Sequence, residues 1–161
     1  TQLQWLLSGL TESTATWKVI VTTVPLSIPK GGRANVSGND GWAGGAGIPG
    51  FERERQVIVD HILGQKVKNV VFLAGDVHYV QANQYDPNGD GIPDFHEFIA
   101  GPLSAAPGRL TPANVELRPT VLINDGGYMN FGLIRVTKSS FDVTVLDEVA
   151  ATRFSHHLSA K

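Results

Sequence analysis

The sequence has 161 residues, enough for one domain with its own hydrophobic core. Hydrophobic residues make up 42% of the chain and charged residues 17%, which excludes an intrinsically disordered protein. The formal net charge of -2 gives no electrostatic reason to expect nucleic acid or an anionic membrane as a partner. The absence of cysteine excludes thiol catalysis, disulfides and cysteine-ligated zinc, and no segment has the length of a membrane span.

The first predicted element is a helix that starts at Thr1. Leucines recur at helical spacing in "TQLQWLLSGLTES", and Thr1 with Gln4 has the pattern of a capping box. Because the chain opens directly on this cap, we expect it to be part of a longer polypeptide. Residues 17–24, "WKVIVTTV", are typical of a strand. Residues 26–50 are rich in Gly and Pro and predict a long irregular loop.

The middle and end of the chain predict one further helix and several strands. Residues 51–65, "FERERQVIVDHILGQ", have helical spacing of their apolar positions. The continuous apolar run in "NVVFLAGD" is typical of a strand buried on both faces. "HYVQANQY" and "FHEFIAG" alternate as strands do, and "FGLIRVTKSSFDVTVLDEV" predicts a β-hairpin. This order of helices and strands indicates a layered α/β fold.

Two potential metal ligands follow the buried strand directly. Asp76 and His78 stand one residue apart after Gly75, and ligands of α/β sheets collect at the carboxyl ends of strands. A carboxylate and an imidazole suit Fe, Zn, Mn or Ca. Taken by themselves, these residues fit an Asp that caps a turn and a His paired in the core at least as well.

Several stretches occur together in one order: "TQLQWLLSGLTESTATWKVIVTTVPLS", "DGWAGGAGIPGFERER", "NVVFLAGDVHYVQAN", "HEFIAGPLSA" and "NDGGYMNFGLIRV". This ordered set resembles the C-terminal half of PhoD-like alkaline phosphatases, in the calcineurin-like metallophosphoesterase superfamily. The resemblance implies an αββα sandwich of two sheets flanked by helices, of which this chain holds the C-terminal half only. We expect residues 1–149 to belong to that domain and residues 150–161, with His156 and His157, to form an exposed polar tail.

The resemblance also implies an activity and a metal centre. The motif from Gly75 to His78 matches the last ligand motif of the superfamily, so that His78 would bind a first metal and Asp76 a second. The implied metals are Fe, Zn or Mn, with Ca possible, and the other ligands are expected on the N-terminal half of the same protein, which is the predicted partner. The implied reaction is hydrolysis of phosphate monoesters or diesters by an extracellular or periplasmic enzyme.

Substrate contacts are predicted on the helix and loop before the buried strand. Arg55 is expected to donate to the phosphoryl oxygens as a catalytic residue, with Arg53 and Trp42 close to the substrate. The alternative is that both arginines lie on the solvated first turn of a helix.

One departure from related enzymes keeps a second function open. In purple acid phosphatases a metal-binding His stands two residues before a Pro, and here that place holds Thr23, whose hydroxyl is a poor ligand. A non-catalytic secreted domain of the same fold that binds calcium or phosphate is therefore the alternative function.

The segment "DPNGDGIPDFHE" has the spacing of a calcium-binding loop. Counted from Asp86 as position 1, side chains that carry oxygen stand at positions 1, 3, 5, 9 and 12. Position 6 is a glycine, and position 7 offers its backbone carbonyl. The predicted ligands are Asp86, Asn88, Asp90, Ile92, Asp94 and Glu97. The alternative is an ordinary turn between strands, which uses the same residue types.

Overall fold

Two helices and eight strands form in the part of the chain that the structure, a computed structural model, describes: residues 1–29, 41–44 and 49–161. The helices are α1 (Gln2–Glu12) and α2 (Glu52–Gly64). The strands are β1 (Lys18–Val21), β2 (Val70–Ala74), β3 (Val80–Tyr85), β4 (Phe95–Ile99), β5 (Pro119–Asp125), β6 (Asn130–Val136), β7 (Ser140–Asp147) and β8 (Thr152–Ser159). The predicted mixed α/β class is confirmed.

Five strands form one sheet in the order β1-β2-β4-β3-β5, and β6, β7 and β8 form a second, antiparallel sheet. In the larger sheet β1, β2 and β4 are parallel, whereas β3 is antiparallel to both of its neighbours. The C-terminal ends of the parallel strands therefore meet at one edge, where β3 begins. This edge is the place where an α/β sheet presents a ligand site.

Two apolar layers hold these elements together. The helices cover one face of the five-stranded sheet through a core that includes Leu10, Ile62 and Phe72. The other face packs against the three-stranded sheet through residues such as Phe98 and Phe141. The described residues thus form three layers, with helices on one side of the two sheets. None of these helices is long and apolar enough to cross a membrane.

The predicted capping box of the first helix and the predicted hairpin of β6 and β7 are confirmed. The amide of Gln4 donates to Thr1 Oγ1 over 3.4 Å, and the Thr1 amino group donates to Gln4 Oε1 over 3.0 Å. β6 and β7 pair in antiparallel register on either side of residues 137–139. Both features depend on contacts a few residues apart, which a local sequence pattern can specify.

The predicted tail at residues 150–161 is wrong, because Thr152–Ser159 form β8 and pair with β7. Phe154 and Leu158 alternate with outward-facing residues and pack into the layer between the sheets. His156, on the same inward face, is half-buried, and its ring centroid lies 5.9 Å from that of His96 on β4. His157 points outward, as predicted, and lies near Asp142 with Nδ1 and Oδ1 2.6 Å apart.

Much of the loop predicted for residues 26–50 lies outside the described residues, at 30–40 and 45–48. The described remainder is held at a few points. Pro29 and Ala43 form a parallel bridge. The carboxylate of Glu52, in the first turn of α2, accepts hydrogen bonds from the amides of Gly44 and Gly50, which ties the loop to the helix.

Candidate metal site at the end of the parallel strands

The segments that follow β1, β2 and β4 leave the sheet side by side. The amide of Thr22 donates to the carbonyl oxygen of Leu73 over 2.9 Å, and the amide of Ala100 donates to that of Ala74 over 3.3 Å. Strand pairing therefore continues to the last residues of β2. The residues that follow β2 therefore start from a rigid strand, and a rigid element positions ligands precisely.

A strained turn follows β2 immediately. The amide of Val77 donates to the carbonyl oxygen of Gly75 over 2.9 Å, and the residue between them, Asp76, has a φ of 73°. These are the features of a γ-turn with positive φ, which is rare. His78 also has a positive φ, of 63°. Non-glycine residues in this region cost of order 1–3 kcal/mol each and cluster at functional sites.

The chain leaves strand geometry directly after Gly75, and the positive φ angles fall on the residues that follow it. A side chain at Gly75 would meet only the carbonyl oxygen of Ala100, at 3.8 Å from its Cβ. The positive φ angles belong instead to Asp76 and His78. Val77, between them, packs inward against Tyr79 and Ile99 as expected, so that the two polar side chains are released from the sheet.

The ring of His78 is held in one orientation by the loop between β4 and β5, residues 100–118. Nδ1 of His78 lies 2.9 Å from the carbonyl oxygen of Ala106. A carbonyl oxygen only accepts, so Nδ1 is the donor, and in the neutral ring Nε2 keeps its lone pair. The carbonyl oxygen of His78 in turn accepts from the amide of Gly108 over 2.8 Å. A histidine whose second nitrogen donates to a fixed acceptor is the usual form of a metal ligand.

The donor set fits part of a metal centre. Asp76 is exposed and supplies a carboxylate, and His78, two positions further along the chain, supplies the imidazole. Among the described residues no group of three or more His, Cys, Asp and Glu side chains is positioned to hold a metal.

Arg55, predicted to donate to the phosphoryl oxygens, makes structural contacts in the core, and its catalytic role stays a prediction. Arg55 is only 2% exposed. Its Nη1 donates to the carbonyl oxygen of Leu26 over 2.7 Å, and its Nη2 forms an ion pair with Glu116. Through these bonds Arg55 fastens α2 to two loops, and its Nε has no hydrogen-bond partner among the described residues.

The other residues predicted near the substrate lie on the helix side of the sheet and beside the end of β1. Trp42 donates from Nε1 to Thr22 Oγ1 over 2.8 Å, next to the end of β1. It lines a cavity of about 330 Å³ between the helices and β1, together with Thr23 and Arg55. Arg53 is exposed on α2. Neither Asp76 nor His78 lines this cavity, so contact of Trp42 and Arg53 with substrate stays a prediction.

The predicted calcium loop closes on its own carboxylates. Asp86 accepts hydrogen bonds from the amides of Gly89, Asp90 and Gly91, and Asp90 Oδ1 accepts from the amide of Ile92 over 2.8 Å. Gly91 has a φ of 86°, the sharp turn expected at position 6. The side chains of Asn88 and Asp94 meet across the loop over 3.3 Å. Asp86, Asn88, Asp90, Ile92 and Asp94 lie in one turn, but the carboxylates of Asp86, Asp90 and Asp94 are not among described groups positioned to hold a metal.

Glu97 lies outside this turn, and its assignment as a calcium ligand is wrong. It lies in β4, is fully buried, and its carboxylate points away from the loop into the core beneath the helices. Its oxygens accept from the amide of Leu26 over 2.7 Å, from Tyr85 Oη over 2.5 Å and from Asn83 Nδ2 over 3.2 Å. Burial raises the pKa of Glu97 above its ordinary value.

Residues 1–140 match the protein family described as PhoD-like phosphatase. The chain belongs to the PhoD-like phosphatase family. A solved structure described as "Structure of PhoD" matches with a TM-score of 0.65 and 18% sequence identity, over 98% of this chain. This chain spans 31% of the length of that PhoD chain. No curated protein matches it.

The site contains residues that the sequence alone did not single out. Ala106 and Gly108 contact His78, and Asn130 at the start of β6 contacts the same loop. Asn130 stands in a stretch that contributes to the PhoD-like resemblance, "NDGGYMNFGLIRV". Nothing in the spacing of the chain connects these residues to His78, because the contacts bridge 28 and more positions.

Proposed function

We propose that this PhoD-like chain is part of a metal-dependent hydrolase of phosphate monoesters or diesters, located outside the cytoplasm. The observation that carries the proposal is the strained turn at the end of β2. It presents Asp76 and His78 at the edge where α/β folds bind ligands, and the histidine ring is already held with Nε2 available. The family match over residues 1–140 supports the same reaction class.

His78 would hold a first metal through Nε2, and Asp76 a second through its carboxylate. A transition metal bound there supplies Lewis-acid polarisation of phosphoryl oxygens and a nucleophile from water at neutral pH. The protein's own contribution is positional. The γ-turn projects the Asp76 carboxylate outward, and the loop at Ala106 prevents the His78 ring from rotating. Arg55 is largely occupied by Leu26 and Glu116, so exposed Arg53 on the same helix is the other candidate for a cationic donor to the phosphoryl group.

The partner that we propose for this chain is the remaining part of the same protein. β1 is an edge strand of the five-stranded sheet, with β2 as its neighbour. Val21 on β1 is 78% exposed, and Trp5 on the neighbouring helix is 74% exposed. An uncovered apolar edge strand promotes aggregation, and proteins normally cover such edges. The solved PhoD chain, about three times as long as this one, has the additional length to do so.

The loop from Asp86 to Asp94 is proposed as a separate calcium site, without Glu97. The sequence spacing supports it, and burial, with the nearby charges of Asp90 and Asp86, raises the pKa of Asp94. Bound calcium would relieve that repulsion by placing a positive charge among the carboxylates.

Turnover by the full-length protein tests the proposed function. We expect hydrolysis of p-nitrophenyl phosphate or bis-p-nitrophenyl phosphate that is lost after chelation and restored by Mn²⁺, Zn²⁺ or Fe. The ratio of the two rates reports the preference for a monoester or a diester. A protein that binds metal at this site yet hydrolyses neither compound would support the alternative of a non-catalytic binding domain.

A further inference from the structure

The loop that contacts His78 is anchored at its base by one buried side chain. Asn130, at the start of β6, is only 2% exposed. Its Oδ1 accepts from the amide of Gly101 over 2.8 Å, and its Nδ2 donates to the carbonyl oxygen of Gly101 over 2.7 Å. The backbone amide of Asn130 donates to the carbonyl oxygen of Pro102 over 2.8 Å. The first residues of the loop are therefore fixed to the three-stranded sheet.

The same loop is fixed again on the far side of its contact with His78. The hydroxyl of Tyr79 lies 3.3 Å from both the amide and the carbonyl oxygen of Thr111. Between Gly101 and Thr111 the loop packs closely against the strained turn at Asp76 to His78. A Cβ atom at Gly108 would lie 2.1 Å from the carbonyl oxygen of Val77. A shift of the loop therefore has to move the turn or break its hydrogen bonds.

These anchors give the carbonyl oxygen of Ala106 a definite position relative to His78. Residues 103–106 are exposed, and the loop is held before them by Asn130 and after them by the hydrogen bond from the amide of Gly108 to His78. The side-chain amide of Asn130 is buried and belongs to β6, a strand of the second sheet, so it holds the start of the loop at a fixed position. Asn130 thus links the loop that contacts His78 to the second sheet.

We propose that Asn130 is a positioning residue for His78. Through the loop from Gly101 to Gly108, it holds the acceptor that keeps the imidazole protonated on Nδ1 and leaves the lone pair of Nε2 available as the ligand atom. The role of that nitrogen toward a metal rests on the proposed function, whereas the orientation of the ring does not. Side chains that orient a metal-binding histidine typically affect metal affinity about 10- to 100-fold.

The tautomer of His78 in metal-free protein tests this directly. Full-length protein labelled with ¹⁵N-histidine and stripped of metal is studied by long-range ¹H–¹⁵N NMR, with His78→Gln used to assign the signal. We expect the Nδ1–H tautomer in the parent. Asn130→Ala and Gly108→Ala should each give a mixture of tautomers and weaken Mn²⁺ binding about 10-fold or more.

Matched variants separate positioning from general damage. Gly132→Ala adds the same methyl group to β6, where the new Cβ would lie at an ordinary 3.5 Å from Ala100 Cβ, and should leave both readouts at parent values. Asn130→Ser keeps a small polar group at this position and buries no charge, and should give an intermediate effect. It also serves as the decisive variant where Asn130→Ala does not fold.

Two results would overturn the proposal: an Nε2–H tautomer of His78 in the parent, or a folded Asn130 variant with unchanged tautomer and Mn²⁺ affinity. A parent protein that binds no Mn²⁺ contradicts the proposed function instead. In that case the comparison of tautomers still decides the role of Asn130.

Discussion

Arg55 on α2 and Glu116 in the loop between β4 and β5 form an ion pair that joins segments 61 residues apart. Since Arg55 also donates to Leu26, we expect Arg55→Lys to lower the free energy of unfolding by about 1–3 kcal/mol, because an ammonium group cannot make both contacts. The upper end of that range is limited by the 55% exposure of the Glu116 side chain. Urea denaturation measures the change.

Arg53→Lys is the matched control for this variant, because Arg53 is exposed on the same helix. It should change stability by less than about 0.5 kcal/mol. An Arg55→Lys protein with unchanged stability and reduced turnover would restore Arg55 as a substrate contact and contradict its structural role.

The two proposed ligands should respond differently to substitution. His78→Ala removes an imidazole ligand, and we expect metal content and phosphoesterase turnover of the full-length protein to fall together by about 100-fold or more. Asp76→Asn keeps the shape of the side chain but removes its charge, so it should weaken the second metal more than the first. Metal stoichiometry by atomic spectroscopy, measured beside turnover, distinguishes the two.

His157→Ala is the control for these variants, since His157 is exposed on β8 and far along the chain from the turn. Its metal content and turnover should equal those of the parent. If either His78→Ala or Asp76→Asn retains both quantities as well, that residue is not a ligand.

The acidic loop should stabilise the protein in the presence of calcium. At saturating free ion, binding to the folded state alone can add roughly 3 kcal/mol. We expect the melting temperature to fall on chelation in the parent and to be insensitive to chelation in Asp90→Ala. Asp60→Ala, at an exposed position on α2, should respond to calcium as the parent does. A parent with equal melting temperatures in calcium and in chelator would indicate an ordinary turn.

His96 should make the protein sensitive to acid. Burial, with smaller effects of the charges on His156 and Lys161, lowers the pKa of His96 from 6.5 to about 4. The unfolded chain therefore binds a proton before the folded one, and stability is lost as the pH falls from about 6.5 towards 4. The loss attributable to this group is at most about 3 kcal/mol.

His96→Gln removes the titrating group and should reduce the loss of stability between pH 7 and pH 5. Unfolding free energies at pH 7 and pH 5 for the variant and the parent measure the difference. An equal loss of stability in both proteins would show that other groups control the acid response.

The apolar edge at β1 offers a test of the proposed partner. Val21 and Val149 are equally exposed in this chain, at 78% and 77%. If the rest of the protein covers β1, Val21→Asp in the full-length protein buries a charge and should destabilise it by about 2 kcal/mol, whereas Val149→Asp should change stability by less than about 0.5 kcal/mol. Thermal denaturation of both variants makes the comparison. A 17.3 kDa chain that folds cooperatively alone, with equal effects of the two substitutions, would argue against a covering partner.

The sequence by itself determined the elements whose cause is local. The cap at Thr1, the continuous apolar strand at Val70–Ala74 and the hairpin around residues 137–139 follow from spacing within a few residues, and all are present. The same holds for the position of Asp76 and His78 at a strand end, because the break from apolar run to polar pair is visible in the chain.

Only the tertiary structure decided what the polar residues contact. Arg55 and Glu97 have the residue types of a phosphate donor and a calcium ligand, yet both are buried and bonded to Leu26, which lies far from each in sequence. Residues after Ala150 look polar, but inward-facing Phe154 and Leu158 join a sheet whose other strands supply the buried face. Burial and long-range hydrogen bonding depend on which segments meet, and spacing along one segment carries no information about that.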